Sequence, residues 1–442
     1  MAYITGEARE QVSMFPVTLD EFIPEDHVCR VIEAFVNRLE MGALGFVRAD
    51  PAETGRPGYD PRDLLKLYLY GYLQQVRSSR RLEAECQRNL EVMWLLGRLQ
   101  PDYKSIAEFR RLHLEAVTDA GVELVRFARS VGLVRGEWVA IDGSKFQAVS
   151  SARSVREREA VKRYLEEQEL ADQQDEMVID HSAVAAALEK LQSHAEPEAR
   201  FMRTPPGKLP AYNVQTAVDA AHGIIVAQQV TTEATDNRSL LPMAEAAHRA
   251  VGEPAELHVV ADAGYSNGQQ AAACESQGIL PHVPANRAVN NRGDGTLFAH
   301  TEFSYEPASD TFCCPAGERL RPLQLRSDAP LMIYAAPVKA CAGCALRPRC
   351  TTARRRTVRR HLYEDALQRM QQRATAAAMA LRRCVAERPF AVLKYGIFGH
   401  PRFLLRGRKG AQIEMSLGTI AYNLKRMMSV LGGSLLRKAL AI

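Results

Sequence analysis

The chain has 442 residues, 46% of them hydrophobic and 25% charged, with a formal net charge of +5. That length exceeds one ordinary domain and that composition supplies a real core, which excludes a disordered chain and asks for two or three folding units. No run of eighteen apolar residues occurs, and MAYITGEAREQVSMF lacks the basic segment and apolar stretch of a secretory signal, so the chain is expected in the cytoplasm.

From residue 1 to about 135 the sequence reads as an all-α domain. VCRVIEAFVNRLE and LLKLYLYGYLQQV repeat apolar residues at three and four spacing, punctuated by Pro51, Pro57, Pro61 and Pro101. Asp60 is an N-cap and Pro61 a first helical residue, predicting a helix to about Val76. The texture changes at Glu137, where EWVAID is a buried strand ending on Asp142. Residues 151 to about 200, charged and alanine-rich, predict a helical insertion outside the sheet. YNVQTAVDAAHGIIVAQQVT predicts a hairpin turning near Ala221 to Gly223. A helix from about Asn237 to Val251, a strand in ELHVVADAGY, a helix and a strand in ILPHVP follow, so 136–285 reads as a mixed α/β sheet with helices against it. Residues 286–360 hold Gly, Pro and the clustered cysteines, an insertion before the C-terminal helices of 361–442. Those helices are predicted from about Tyr363 to Lys394 and from about Ala411 to Val430, completing the domain of the mixed sheet.

Asp142 and Asp262 each end an apolar strand, VAID and VVAD, with glycine one or two residues later. An acid at the carboxyl end of a buried strand projects into the crevice above the sheet, where α/β sheets place ligands. Two such acids on neighbouring strands repel unless a hard cation such as Mg²⁺ or Mn²⁺ neutralises them. Glu387, in LRRCVAERPFAVLK, is the third acid, with Arg383 and Lys394 placed by helical spacing on its face to hold phosphates. Pro389, two residues on, must begin, kink or break that helix. Asp219, entering the hairpin turn, and Asp236, at a helix N-cap, are the rival acids and rank below Asp262.

The modest net charge hides an asymmetry. From Arg354 to Lys409 there are 15 Lys/Arg against 3 Asp/Glu, a local +12, leaving −7 for the rest. Such an excess faces polyanions, DNA above all, and Arg354, Arg355, Arg356, Arg402, Arg406 and Lys409 are expected to bind phosphates without reading bases. The cysteines suggest metal rather than disulfides: Cys341-Ala-Gly-Cys344 with Cys350 and, upstream, Cys313 and Cys314 would give tetrahedral Zn²⁺ the set Cys314, Cys341, Cys344 and Cys350. Ordinary reduced thiols are the alternative. Cys29, Cys86, Cys274 and Cys384 are scattered and read as core filler.

At these residues the sequence resembles the DDE transposases of bacterial insertion sequences. Asp262-Ala263-Gly264-Tyr265 fits their second-acid signature. Arg383, Glu387 and Lys394 fit the spacing around the third acid, although the family's tyrosine position is Ala380. GYDPRDLLKLYLYGYLQQVRSSRRLE with SIAEFRRLH looks like the InsH-type N-terminal domain, and EARFMRT, FLLRG and AYNLKRM are similarly typical. The resemblance implies a ribonuclease H-like catalytic domain preceded by an all-α N-terminal domain that binds the element's inverted repeats. It also implies two-metal cleavage and strand transfer of double-stranded DNA, with Asp142 bridging Mg²⁺ ions that Asp262 and Glu387 complete, in at least a homodimer. A ribonuclease H-like nuclease without strand transfer and an idle DNA-binding regulator remain open alternatives.

Overall fold

The computed structural model describes residues 18–50, 58–173, 181–285, 297–326 and 330–441, so Pro51 and Pro57 lie outside the described residues. Six helices open the chain: α1 (Val28–Arg38), α2 (Pro61–Leu73), α3 (Ser79–Arg88), α4 (Leu90–Leu95), α5 (Tyr103–Leu112) and α6 (Leu114–Ser130). Strand β1 (Trp138–Gln147) leads to helices α7 (Ala152–Gln173) and α8 (His181–Gln192). There follow β2 (Arg200–Thr204), β3 (Gly207–Asp219), β4 (Ile225–Thr231), α9 (Leu240–Ala250), β5 (Leu257–Val260), α10 (Gly268–Glu275) and β6 (Ile279–His282). The insertion contributes β7 (Ser304–Glu306), β8 (Thr311–Cys313), β9 (Arg319–Leu325), β10 (Leu331–Ala335), α11 (Val338–Ala342), α12 (Arg347–Cys350) and β11 (Thr357–His361). The last helices are α13 (Glu364–Arg373), α14 (Ala376–Ala391), α15 (Gly407–Leu431) and α16 (Gly433–Leu440).

Contacts divide the chain into two compact units, one of Met1–Leu133, Lys145–Tyr212 and Pro389–Ile442, the other of Val134–Ser144 and Asn213–Arg388. In the first unit Asp60 caps α2 as expected, its carboxylate accepting from the Arg62 N–H at 2.8 Å ahead of Pro61 at the first turn. Helix α2 is apolar nearly all round, and Leu65, Leu67, Tyr68, Leu69 and Tyr72 are buried. Gly71 admits the returning chain: a Cβ there would lie 2.5 Å from the Val76 carbonyl oxygen. Helix α15 packs on α2 and α6. The C-terminal end of the chain therefore shares a core with the N-terminal helices, whereas the sequence pattern had grouped it with the sheet.

Most of the mixed sheet lies in the second unit, with β2 and parts of β1 and β3 in the first. The sheet order is β2-β3-β1-β5-β6, with β4 also on β3. The pairs β1·β5 and β5·β6 are parallel, and β3·β4 is the expected hairpin, with Gly223 at φ +71° in its turn. Trp138 O accepts from Ala220 N while Ala148 N donates to Pro210 O, so β1 and β3 run antiparallel. Antiparallel β1, β3 and the hairpin partners of β3, followed by β5 and β6 parallel to β1, make the six-stranded ribonuclease H-like sheet. The insertion forms a sheet of its own, in the order β11-β10-β9-β8-β7, around Phe303, Phe312, Leu320, Tyr334 and Val358. Sequence periodicity missed that sheet because its strands are three to seven residues long and carry little alternation.

Candidate active site

Asp142 lies within β1 rather than at its end. The parallel pairing of β1 with β5 stops at Ala140, so the carboxylate stands beyond the paired segment, and Asp262 follows the end of β5 by two residues. Helix α14 lays Ala378 and Ala386 against Ala140 and Val260, small residues that bring the helix close to both strand ends. That packing puts Arg382 and Glu387 beside the two aspartates. The Arg382 guanidinium reaches Asp142 Oδ1 at 2.9 Å, Asp262 Oδ2 at 3.6 Å and Glu387 Oε1 at 3.6 Å. The three acids named from sequence thus converge on one cation.

Arg382 was not singled out in the sequence; its neighbour Arg383 was. Arg383 is exposed, whereas Arg382 is turned inward. Of the expected face of Arg383, Glu387 and Lys394, the first two stand exposed on α14, and Lys394 departs from the expected spacing. The segment from Tyr363 to Lys394 is not one helix: it breaks after Arg373, resumes at Ala376, and passes at Val392–Ile397 into a π-helical stretch. Lys394 lies in that stretch, where the wider turn abandons the spacing of about 100° per residue. It belongs to the first unit, its ammonium 5.7 Å from the Phe146 ring centre. Ala380, at the family's tyrosine position, is exposed on α14.

Burial pushes the Asp142 carboxyl up to about 6, with Arg382 and the Gly143 N–H opposing the shift and Asp262 adding to it. Asp142 Oδ1 accepts from the Gly143 N–H at 3.0 Å. Asp262 Oδ1 accepts from the Gly264 N–H at 2.8 Å, and a Cβ on Gly264 would stand 2.9 Å from that oxygen. This explains the glycine of the Asp-Ala-Gly-Tyr run. Its tyrosine is explained by burial: Tyr265 donates its hydroxyl to Gln215 Oε1, and its ionisation is pushed well up by burial first, then by Asp236, Asp142 and Asp262.

The same network holds a fourth acid. Asp236 Oδ1 accepts from Gln215 Nε2 and Asn213 Nδ2, each at 2.7 Å. Its backbone caps the following turn, yet its side chain is in the site, and a Cβ on Gly143 would lie 2.6 Å from Asp236 Oδ1 and 2.4 Å from Gln215 Nε2. The rival Asp219 is spent elsewhere. Buried at 1% exposure, it accepts from the Gly136 and Ala221 N–H groups at 2.9 Å each, closing the hairpin turn.

A family model described as Transposase DDE domain matches residues 173–424, more than half of the chain. The chain belongs to the DDE transposase family. A second model, Transposase domain (DUF772), matches residues 17–112, the helical start of this transposase. Asp262 and Glu387 fall within the DDE match, while Asp142 precedes it. No curated protein matches. Among solved structures the transposase is similar to the cryo-EM structure of a piggyBac transposase synaptic complex with hairpin DNA, at 8% identity. That likeness spans 94% of this chain and 78% of the other at a TM-score of 0.34, too distant to decide anything about the site.

The basic residues named from sequence divide into two groups. Arg354, Arg402, Arg406 and Lys409 are exposed and Arg355 half-buried, although Arg402 also donates to the Val149 carbonyl at 3.0 Å. Arg356 must be withdrawn as a phosphate contact. Its guanidinium is buried, donates to the carbonyls of Cys350 (2.8 Å) and Phe298 (3.1 Å), and lies over the Phe303 ring. Cys314, Cys341, Cys344 and Cys350 line one cavity in the insertion. Burial raises the Cys350 thiol; Arg356 opposes this, and the other three cysteines add to it. Cys29, Cys86 and Cys274 are buried as expected, whereas Cys384 is exposed on α14 and fills no core.

Proposed function

We propose that this transposase cuts and rejoins the ends of its element at Asp142, Asp262 and Glu387. The observation that supports this best is the convergence of three carboxylates, from within β1, just after β5 and from α14, on the single guanidinium of Arg382. One cation among three acids leaves an excess of negative charge, and the Asp142 carboxyl is raised first by burial, with Asp262 adding to the shift. The donors are hard oxygens, which suit Mg²⁺ or Mn²⁺. Asp142, Asp262 and Glu387 would hold the ions. When bound, such ions supply polarisation of the scissile phosphate and a nucleophile usable near neutral pH.

The protein's own groups do the rest. Arg382 holds the carboxylates together, and the Tyr265–Gln215–Asp236–Asn213 network fixes the floor beneath them. Arg383, exposed one residue from Arg382, is placed to meet a DNA phosphate; Arg354 and Arg355 in the same unit, and Arg406 and Lys409 in the other, are further cations for phosphates. In hydrolysis a water oxygen bonds to phosphorus and the P–O3′ bond breaks, the leaving oxygen taking a proton to become a 3′-OH. That hydroxyl then attacks a target phosphodiester, exchanging one P–O bond for another. Recognition of the inverted repeats we assign to the N-terminal helices by family analogy. Pairing of two ends asks for at least a homodimer.

The test incubates the protein with Mg²⁺, labelled duplexes carrying the element's ends, and a target plasmid. Joined product is expected. Cleavage without joining would favour a nuclease, and binding without either would favour a regulator.

A further inference from the structure

The insertion carries chemistry that DNA strand transfer does not use. Cys314, Cys341, Cys344 and Cys350 line a single cavity of about 330 Å³, floored by Phe298 and Arg356. They come from two separate stretches. Cys314 follows β8 in the turn Cys314-Pro315-Ala316-Gly317, while the other three lie on α11, the connection after it, and the end of α12. The turn is shaped around the sulfur: Gly317, at φ +79°, donates its N–H to the Cys314 carbonyl at 2.8 Å, and the Glu318 N–H points at Cys314 Sγ at 3.3 Å. The Arg356 N–H points likewise at Cys341 Sγ, at 3.5 Å. Backbone donors aimed at sulfur stabilise thiolate over thiol, the form that binds metal. Cys313 is left out of the set, because it does not line the cavity and its Sγ turns to the Cys314 carbonyl.

We propose that these four cysteines bind one Zn²⁺, which ties the β8–β9 turn to the α11–α12 segment. Among the described residues the one group of three or more potential ligands whose donor atoms all lie within 4.8 Å of one another is His27, Cys29 and Glu91. That group is already internally satisfied. His27 Nδ1 accepts the Cys29 N–H, His27 Nε2 faces Glu91, and Glu91 accepts from the Tyr70 hydroxyl at 2.8 Å. At the insertion, a tetrahedral site with Zn–S distances of about 2.3 Å requires the cysteines to close inward on the cavity. Helices of five and four residues joined through Gly343 and a short turn can make that adjustment. A small sheet with a core of few large side chains gains its stability from such a tie.

Full-length protein purified without chelators is expected to hold about one zinc per chain by elemental analysis. Cobalt exchanged into it should give the intense sulfur-to-cobalt absorption of a tetrahedral thiolate site. Cys341→Ser and Cys344→Ser should lose most of the zinc, whereas Cys313→Ser, Cys384→Ser and Asp142→Asn keep it. If the cysteine variants fail to fold, thiol titration of the wild type decides. Four thiols should become reactive on zinc removal and protected again when Zn²⁺ alone is added. Zinc-free protein with no thiolate–cobalt spectrum, or full zinc retained in Cys344→Ser, would overturn the assignment.

Discussion

The transposase contains two arrangements of carboxylate and guanidinium that differ in completeness. In the helical unit, Glu414 is fully buried. One of its oxygens receives Arg77 Nη1 at 3.0 Å, and the other receives the N–H groups of Leu404 and Leu405 at 2.7 and 2.6 Å. Arg77 in turn donates to the Arg402 carbonyl and stacks over Phe398. In the sheet unit, one guanidinium is divided among three carboxylates, two of them at 3.6 Å, and among the described residues Arg382 Nε and Asn213 Oδ1 have no hydrogen-bond partner. A saturated pair locks a core, whereas an unsaturated one keeps charge and lone pairs available for a ligand.

The largest effect expected from breaking that contrast is on stability. Glu414→Ala strands Arg77 in a buried site and should cost about 3–5 kcal/mol in chemical denaturation; a loss below about 1 kcal/mol would show that the pair is not structural. Asp142→Asn, Asp262→Asn and Glu387→Gln should instead leave the fold and DNA binding intact while lowering DNA cleavage on the order of 10²–10³-fold or more. Retained cleavage in any one variant removes that residue from the site.

The Asp142 carboxyl sharpens the comparison through pH. Its folded value of about 6 exceeds the ordinary 3.8, so the folded chain holds that proton more tightly. The stabilisation this gives is complete below about pH 4 and lost as pH rises through 6. In EDTA, Asp142→Asn should therefore gain thermal stability over wild type above pH 6, by up to about 3 kcal/mol, and the gain should vanish near pH 4. A difference in Tm that does not vary with pH would contradict the burial argument.

Arg382→Gln should destabilise the metal-free protein by about 1–2 kcal/mol near neutral pH, with Mg²⁺ restoring more stability to the variant than to wild type. Equal Mg²⁺ responses would separate Arg382 from the acids. The smallest effect concerns DNA affinity. Neutralising Arg354 and Arg355 should reduce the slope of log affinity against log salt by up to about 1.8, at about 0.9 per phosphate. Arg356→Ala should leave that slope unchanged and loosen the insertion.

Much of this was legible in the sequence because the signals are local. Asp60-Pro61 announced α2, the apolar runs before Asp142 and Asp262 announced their strands, and Asp262-Ala-Gly-Tyr matched a family signature whose steric reason only the structure supplies. What escaped detection depends on contacts far apart along the chain. Arg382 and Arg383 are indistinguishable by composition, and only the packing of Ala378 and Ala386 on β1 and β5 selects which one turns inward. Asp236 read as a helix cap because nothing nearby reveals Asn213 and Gln215. Arg356 lay in a run of arginines whose charge suggested DNA, while its carbonyl partners are 6 and 58 residues away.

The central claim is that the carboxylates around Arg382 form the metal centre of the transposase, and Mn²⁺ binding to the full-length protein tests it most directly. Titration near pH 7.5, followed by calorimetry or by the loss of the free-ion paramagnetic signal, should show binding that Asp142→Asn abolishes and that Asp262→Asn and Glu387→Gln each weaken. Unchanged Mn²⁺ binding in a folded Asp142→Asn protein would contradict it.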